Sequence, residues 1–311
     1  MNGNLNIFLN KKILIYGLGK SGLSVYKFLR KKSNISLYDD FQLKINNLDI
    51  KKKLVAYDSI LNLKFDYIII SPGIDINKCK LTNFLKKNLK KIYSDLDIFY
   101  EFYKNDCITI TGTNGKSTTC KLLYNVLLDQ KFSVKLVGNI GNPILSVKNV
   151  KKKTIFIVEA SSYQLEYSKI FKSKYAGILN LSSDHIERHK TLNNYIKAKF
   201  KLLKNQSKGY FAFVKKDDFL INEQLKLQKF KSKIIKVNTK KKNDLAGKID
   251  NIYFSSETNK ENLLFVLEIC KKLNLKIKPL IKTINNFKGL KYRQQIVFRK
   301  KNLTIINDSK S

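Results

Sequence analysis

The sequence has no CxxC pair, no tryptophan, only 24 acidic residues and no apolar run approaching the roughly 18 residues of a membrane span. Each shortage narrows what the protein can do. Its four cysteines, Cys79, Cys107, Cys120 and Cys270, lie far apart. That spacing suits reduced thiols in a core rather than a disulfide framework or a zinc site. The opening MNGNLNIFLNKK has neither the charged head nor the apolar middle of a secretory signal, so a cytoplasmic location without membrane insertion is expected. Histidine is nearly absent too, the two residues forming HIERH from His185 to His189. An i,i+4 pair could bind zinc from one helix face, but Glu187 stands one place too late for HExxH, which argues against a zinc protease.

The acidic shortage is the largest departure. Against 61 Lys and Arg it leaves a formal charge of +37. Alone, that would suggest nucleic acid, an anionic membrane or a phosphate-rich ligand. The lysines are instead spread along the whole chain among many Asn and Ile, and no helix-turn-helix, zinc-finger or RNA-recognition pattern accompanies them. They read as solvated positions filled by lysine under an AT-rich coding bias, and no nucleic-acid partner is expected. Apolar content of 43% and charged content of 27% are ordinary for a soluble globular protein. A chain of 311 residues has room for about two domains.

What is present is alternation. KKILIY, NISLYDD and FDYIII read as strands, with the amphipathic SGLSVYKFLRKK as a helix between the first two. TIFIVEASS, ending at Glu159, YAGILNLSSDH, ending at Asp184-His185, and GYFAFV are further strands; NNYIKAKFKLLKN and NKENLLFVLEICKKL are helices. Alternation of this kind predicts an α/β protein with mostly parallel sheets. SDLDIFYEFYKND precedes a fresh strand-loop-helix start at Ile108, which places a domain boundary near Tyr93 to Asp106.

Two loops could hold a nucleotide. Gly17-Leu18-Gly19-Lys20-Ser21-Gly22 satisfies GxGxxG, and Asp39 follows about twenty residues on, where a ribose-binding acid would sit. By itself this is an NAD pattern, although such loops also bind other diphosphates and some are only tight turns. The second loop, Gly112-Thr113-Asn114-Gly115-Lys116-Ser117 with Thr118 opening a helix, would gather backbone N–H groups around phosphate. Lys116 would reach the β/γ-phosphates and Ser117 would hold Mg²⁺. Ile110 occupies the place of the usual first glycine. Glu159 and Asp184-His185, at strand ends downstream, favour Mg-nucleotide chemistry over a glycine-rich turn that happens to carry a lysine.

Four motifs then appear in order: GTNGKST, GNIGNP (Gly138 to Pro143), EASSYQLE (Glu159 to Glu166) and ILNLSSDHIERH (Ile178 to His189). Together they resemble the Mur ligases of peptidoglycan synthesis. GLGKSG and SPGI (Ser71 to Ile74) are similar to the D-glutamate-adding branch of that family. The family uses the shorter GTNGK[ST] loop, so Ile110 is no defect. The resemblance implies a Rossmann-like domain holding the UDP precursor at 1–95, a central P-loop-type ATP-binding domain with a mostly parallel sheet at 96–290, and a linker with the start of a third Rossmann-like domain at 291–311. It implies a monomeric ATP-dependent ligase joining D-glutamate to UDP-N-acetylmuramoyl-L-alanine, with ATP and Mg²⁺ as cofactors and CO₂ carried as a lysine carbamate. Within the family the alternative is a ligase adding another amino acid. Outside it the alternatives are an NAD-linked oxidoreductase or a non-catalytic nucleotide-binding fragment.

The same resemblance assigns residues. Lys20, Ser21 and Asp39, with Ser71, Pro72 and Gly73, would surround the uridine diphosphate, and Asn139 and His185 would hold the muramoyl-alanine end. Gly112, Thr113, Asn114, Gly115, Lys116, Ser117, Thr118, Asn259, Arg293 and Asp308 would bind ATP. Lys116, Asn139, Glu159, His185 and Lys199 would carry catalysis, and Ser117, Glu159, His185 and carbamylated Lys199 would ligate metal. Spacing alone does not separate Lys199 from Lys197 or Lys201. There are departures: the usual His-Asn is Thr258-Asn259, and the Gly-Leu-Pro-His-Arg linker is Gly289-Leu290-Lys291-Tyr292-Arg293. Asn307-Asp308-Ser309-Lys310-Ser311 matches the motif that opens a third domain, so a truncated chain, inactive on its own, is expected.

Overall fold

The computed structural model describes residues 6–41, 46–240, 244–293, 295–301 and 303–309; Lys310 and Ser311 of the NDSKS motif lie outside them. Short apolar runs build two parallel sheets. Lys12–Tyr16 (β1), Asn34–Tyr38 (β2), Tyr67–Ile70 (β3) and Ile92–Tyr93 (β4) form the first, in the order β2-β1-β3-β4. Cys107–Thr111 (β5), Val134–Gly138 (β6), Ile155–Glu159 (β7), Tyr175–Ile178 (β8), Phe211–Lys215 (β9) and Lys233–Val237 (β10) form the second, in the order β10-β9-β8-β5-β7-β6. All its pairings are parallel. An antiparallel hairpin, Gln295–Lys300 (β11) with Leu303–Asn307 (β12), follows.

Strands such as IFIVE and CITIT are buried along almost their whole length because helices cover both faces of the second sheet. On one face lie Leu122, Leu123 and Val126 of the Lys116–Asp129 helix and Val266 and Ile269 of the Glu257–Lys272 helix. The other face packs Tyr195, Phe200 and Leu203 of the Leu192–Lys204 helix. Strand order reverses around β5, between β7 and β8, so the crevice for ligands opens beyond the carboxyl ends of these three strands.

The predicted YAGILNLSSDH strand is shorter than expected and ends at Ile178. Past that point β8 has no more of β5 to pair with, since β5 ends at Thr111, the partner of Ile178. The Leu179 amide still bonds Thr111, and Asn180 then turns to the phosphate loop: its carbonyl accepts from the Thr113 amide and its Oδ1 from the Asn114 amide. Asp184 and His185 therefore sit on a loop, not at a strand end.

The two sheets are joined by the Asp95–Phe102 helix, whose Leu96, Ile98 and Phe99 are fully buried in a core common to both. Phe99 meets Phe156 of β7 edge-on at 4.7 Å. Asp97, also fully buried, ties the joint together. Its Oδ2 accepts from the Ser94 amide and hydroxyl, and its Oδ1 accepts from Ser168 Oγ and the amides of Lys169, Ile170 and Phe171. Removing this carboxylate strands three buried donors, the Ser94 and Phe171 amides and the Ser168 hydroxyl. Asp97→Ala should lower the unfolding free energy by at least about 3 kcal/mol, given about 1–3 kcal/mol per orphaned group. Asp106→Ala, which breaks the exposed Lys174 pair, should cost no more than about 1 kcal/mol. Urea unfolding of both variants checks the contrast.

Candidate functional site

The second glycine loop forms the floor of the crevice. Gly115 ends it at φ 82 and caps the Lys116–Asp129 helix; a Cβ there would lie 2.0 Å from Asn262 Oδ1. No other residue fits that approach. Lys116 Nζ folds back to donate to the carbonyls of Gly112 at 2.9 Å and Thr113 at 2.7 Å. Lys199 Nζ donates to the same Gly112 carbonyl at 2.8 Å, above the Tyr195 ring. Two lysine nitrogens thus crowd one oxygen.

Their environment disfavours charge. Burial pulls the Lys199 pKa well below its ordinary value, and Lys116 beside it lowers it further, while Asp184 and Glu159 oppose the shift. Lys116 is also lowered, by burial first. The three candidate lysines on one helix are now distinct. Lys197 faces solvent, Lys201 donates to the Glu166 carbonyl, and only Lys199, 1% exposed, enters the site.

Glu159 ends β7 across from them, 1% exposed. Its Oε1 accepts from Asn139 Nδ2 at 2.9 Å, and its Oε2 has no partner. Asn139 is set by the GNIGNP turn: its amide bonds the Glu159 carbonyl at 2.9 Å, and a Cβ on Gly138, at φ 105, would come within 2.3 Å of that oxygen. His185, in the left-handed region at φ 53, holds its ring 4.8 Å from Tyr163 and 3.4 Å from Asp184 Oδ2. His189 does not share a metal face with it. It is buried against Ser162 Oγ at 3.0 Å, and burial, Arg188 and Lys199 push its pKa down to about 4.

A cleft of about 260 Å³ runs from the loop along the Glu257–Lys272 helix. It gathers Asn114, Gly115, Ser117 and Thr118 with the distant Asn259, Arg293 and Asp308, as the sequence predicts. Tyr253 and Asn262 line it as well and were not anticipated. Asn262 carried a usable signal, since it lies three residues from Asn259 on one helix face. Tyr253 carried none, because its hydroxyl reaches Thr118 Oγ1, 3.5 Å away, only through the fold. Asn259 Nδ2 donates to the Tyr253 carbonyl and braces this wall.

The first glycine loop lies at the carboxyl ends of β1, β2 and β3. Ser71 Oγ donates to the Gly17 carbonyl at 2.6 Å. Asp39 Oδ2 accepts from the Leu18 amide at 2.6 Å and Oδ1 from Phe41, so its carboxylate braces the loop rather than standing ready for a ribose. Lys20 is exposed at the helix start, Pro72 and Gly73 form the turn after β3, and Ser21 Oγ bonds Asp95 at 2.8 Å.

Among the described residues no three His, Cys, Asp or Glu side chains converge as a metal site. The orphaned Glu159 Oε2 and the buried Ser117 hydroxyl are nonetheless oxygen donors of the kind a hard cation takes. Lys116→Ala should weaken MgATP binding on the order of a hundredfold without unfolding the protein; titration calorimetry together with a melting curve checks both halves. Lys199 gives a pH test. Between its lowered folded-state pKa and 10.5 the unfolded chain binds the extra proton, so stability must rise with pH across that window. Lys199→Met should flatten the rise in CO₂-free buffer, read from unfolding midpoints between pH 7 and 10.

Residues 110–283 match the Mur ligase middle domain, and residues 11–92 match the Mur ligase MurD-like N-terminal domain. The chain is 32% identical to UDP-N-acetylmuramoylalanine--D-glutamate ligase of Rickettsia felis, over 99% of its own length and 72% of that protein. It is 33% identical to the protein of the same name from Rickettsia prowazekii, over 99% and 73%. Among solved structures, UDP-N-acetylmuramate:L-alanyl-gamma-D-glutamyl-meso-diaminopimelate ligase from Neisseria meningitides shares the fold, with a TM-score of 0.59 at 14% identity over 91% of this chain and 99% of that one. The chain belongs to the Mur ligase family.

Proposed function

We propose that this chain binds ATP and a UDP-linked muramoyl-alanine precursor for the addition of D-glutamate in peptidoglycan synthesis. The observation that carries the proposal is the convergence of Lys116, Lys199 and the half-bonded Glu159 beside the nucleotide cleft. The reading divides the chain into a precursor domain at 1–95, an ATP domain at 96–290 and a linker from 291. The protein is taken as a monomer of the cytoplasm; no described helix is long and apolar enough to cross a membrane.

In this reaction the alanine carboxylate attacks the γ-phosphate and ADP leaves; the D-glutamate amine then attacks the acyl carbon, giving up a proton as the C–N bond forms and phosphate departs. Lys116 releases the Gly112 and Thr113 carbonyls and turns to the phosphoryl oxygens, where its charge offsets the charge that develops. Asn139, held by Glu159, and His185, tilted against the Tyr163 ring, orient the muramoyl-alanine end. Mg²⁺ bound by Ser117 and Glu159 would screen the phosphate charges. Lys199 as a neutral amine can add CO₂, forming an N–C bond and releasing a proton, which converts a buried cation into a carboxylate able to serve as a further ligand near His185. Asp39, engaged by the Leu18 amide, is not free to clamp the adenosine ribose as an NAD site requires.

Two measurements test the proposal. Labelled bicarbonate at mildly alkaline pH should give a carbamate carbon signal that Lys199→Ala abolishes and Lys197→Ala leaves in place. A signal that survives Lys199→Ala assigns the carbamate elsewhere. UDP-N-acetylmuramoyl-L-alanine should raise the melting temperature, and a rise with NADH alone would overturn the assignment of the first loop.

A further inference from the structure

Two aspartates on one helix are buried alike and treated differently. Both carboxylate oxygens of Asp97 are bonded, with six donors in all. That arrangement suits an anion. Asp95, 2% exposed, bonds Ser21 Oγ through Oδ2 while its Oδ1 has no hydrogen-bond partner. The groups facing it are Ser21, the Leu96 amide and Gln164, the last outside hydrogen-bonding geometry, and the nearest charge is Asp97, of like sign. No Lys or Arg pairs with it among the described residues. An ionised carboxylate in such a setting is costly, and a neutral acid is not. Burial raises the Asp95 pKa, in keeping with this.

The protonation state decides what Ser21 can do. A serine hydroxyl carries one proton, and an ionised carboxylate can only accept. With Asp95 ionised, the proton of Ser21 is committed to it and only lone pairs face an incoming diphosphate. With Asp95 neutral, the order reverses. We propose that Asp95 is a positioning residue acting as a neutral acid: its Oδ2–H donates to Ser21 Oγ and so turns the serine's own proton toward the diphosphate of the ligand. The inference rests on the reading of the first loop as a diphosphate site.

Titration calorimetry of the 311-residue protein with UDP and with UDP-N-acetylmuramoyl-L-alanine tests it, with MgATP affinity as the control for folding. Ser21→Ala and Asp95→Ala should each weaken both UDP ligands on the order of tenfold, and the double variant should be no weaker than either single one. Asp95→Asn, whose amide can donate to Ser21 Oγ but cannot ionise, should recover most of the Asp95→Ala loss. The infrared difference between wild type and Asp95→Asn should contain a protonated-carboxyl stretch at neutral pH. Asp95→Asn as weak as Asp95→Ala with MgATP binding intact, or no such stretch, overturns the inference alone. Wild-type protein that binds neither UDP ligand, or Ser21→Ala that binds both normally, overturns the loop assignment and the inference with it.

Discussion

Two lysine nitrogens and one carbonyl oxygen set the terms for the centre of this protein. Lys116 and Lys199 both donate to Gly112, in a crevice where Lys199 is 1% exposed and the facing carboxylate, Glu159, has an oxygen without a partner. Like charges this close in a poorly solvated site cannot both be held at ordinary pKa values. The arrangement is balanced only when something anionic arrives for Lys116 or when Lys199 gives up its charge. In the function proposed here, a nucleotide phosphate meets the first condition and carbamylation of Lys199 by CO₂ the second.

That crevice depends on parallel register. Glu159 stands beside Ile110, one residue before the end of β5, because β5 and β7 pair in step. The Gly138 turn, next along the sheet, then delivers Asn139 to the Glu159 side chain. On the other flank β8 stops early, and Asn180 locks the phosphate loop from outside. The loop is therefore held from both sides by neighbouring strands as well as by its own glycines.

The Asp95–Phe102 helix connects this centre to the first sheet. Its apolar side, Leu96 and Phe99, belongs to a core common to both sheets. Its two buried aspartates reach opposite ways, Asp97 to residues 168–171 after EASSYQLE and Asp95 to Ser21. The two glycine loops are held in one frame by a helix that contributes no residue to the cleft.

Strand and helix identity was legible in the sequence because apolar runs and glycine turns are local. ILIY, YIII and IFIVE read as covered strands, and GTNGKST between a strand and a helix as a tight turn with amides free for an anion. The motif order was enough to identify the family. Tertiary structure alone decided three things. It singled out Lys199 from Lys197 and Lys201, since helix spacing says which face a lysine shares but not which face is dry. It moved Asp184 and His185 from a strand end to a loop, because where β8 stops depends on its neighbour. It also distinguished Asp95 from Asp97, because all but the Ser94 donors to these two carboxylates come from segments more than 70 residues away in the chain.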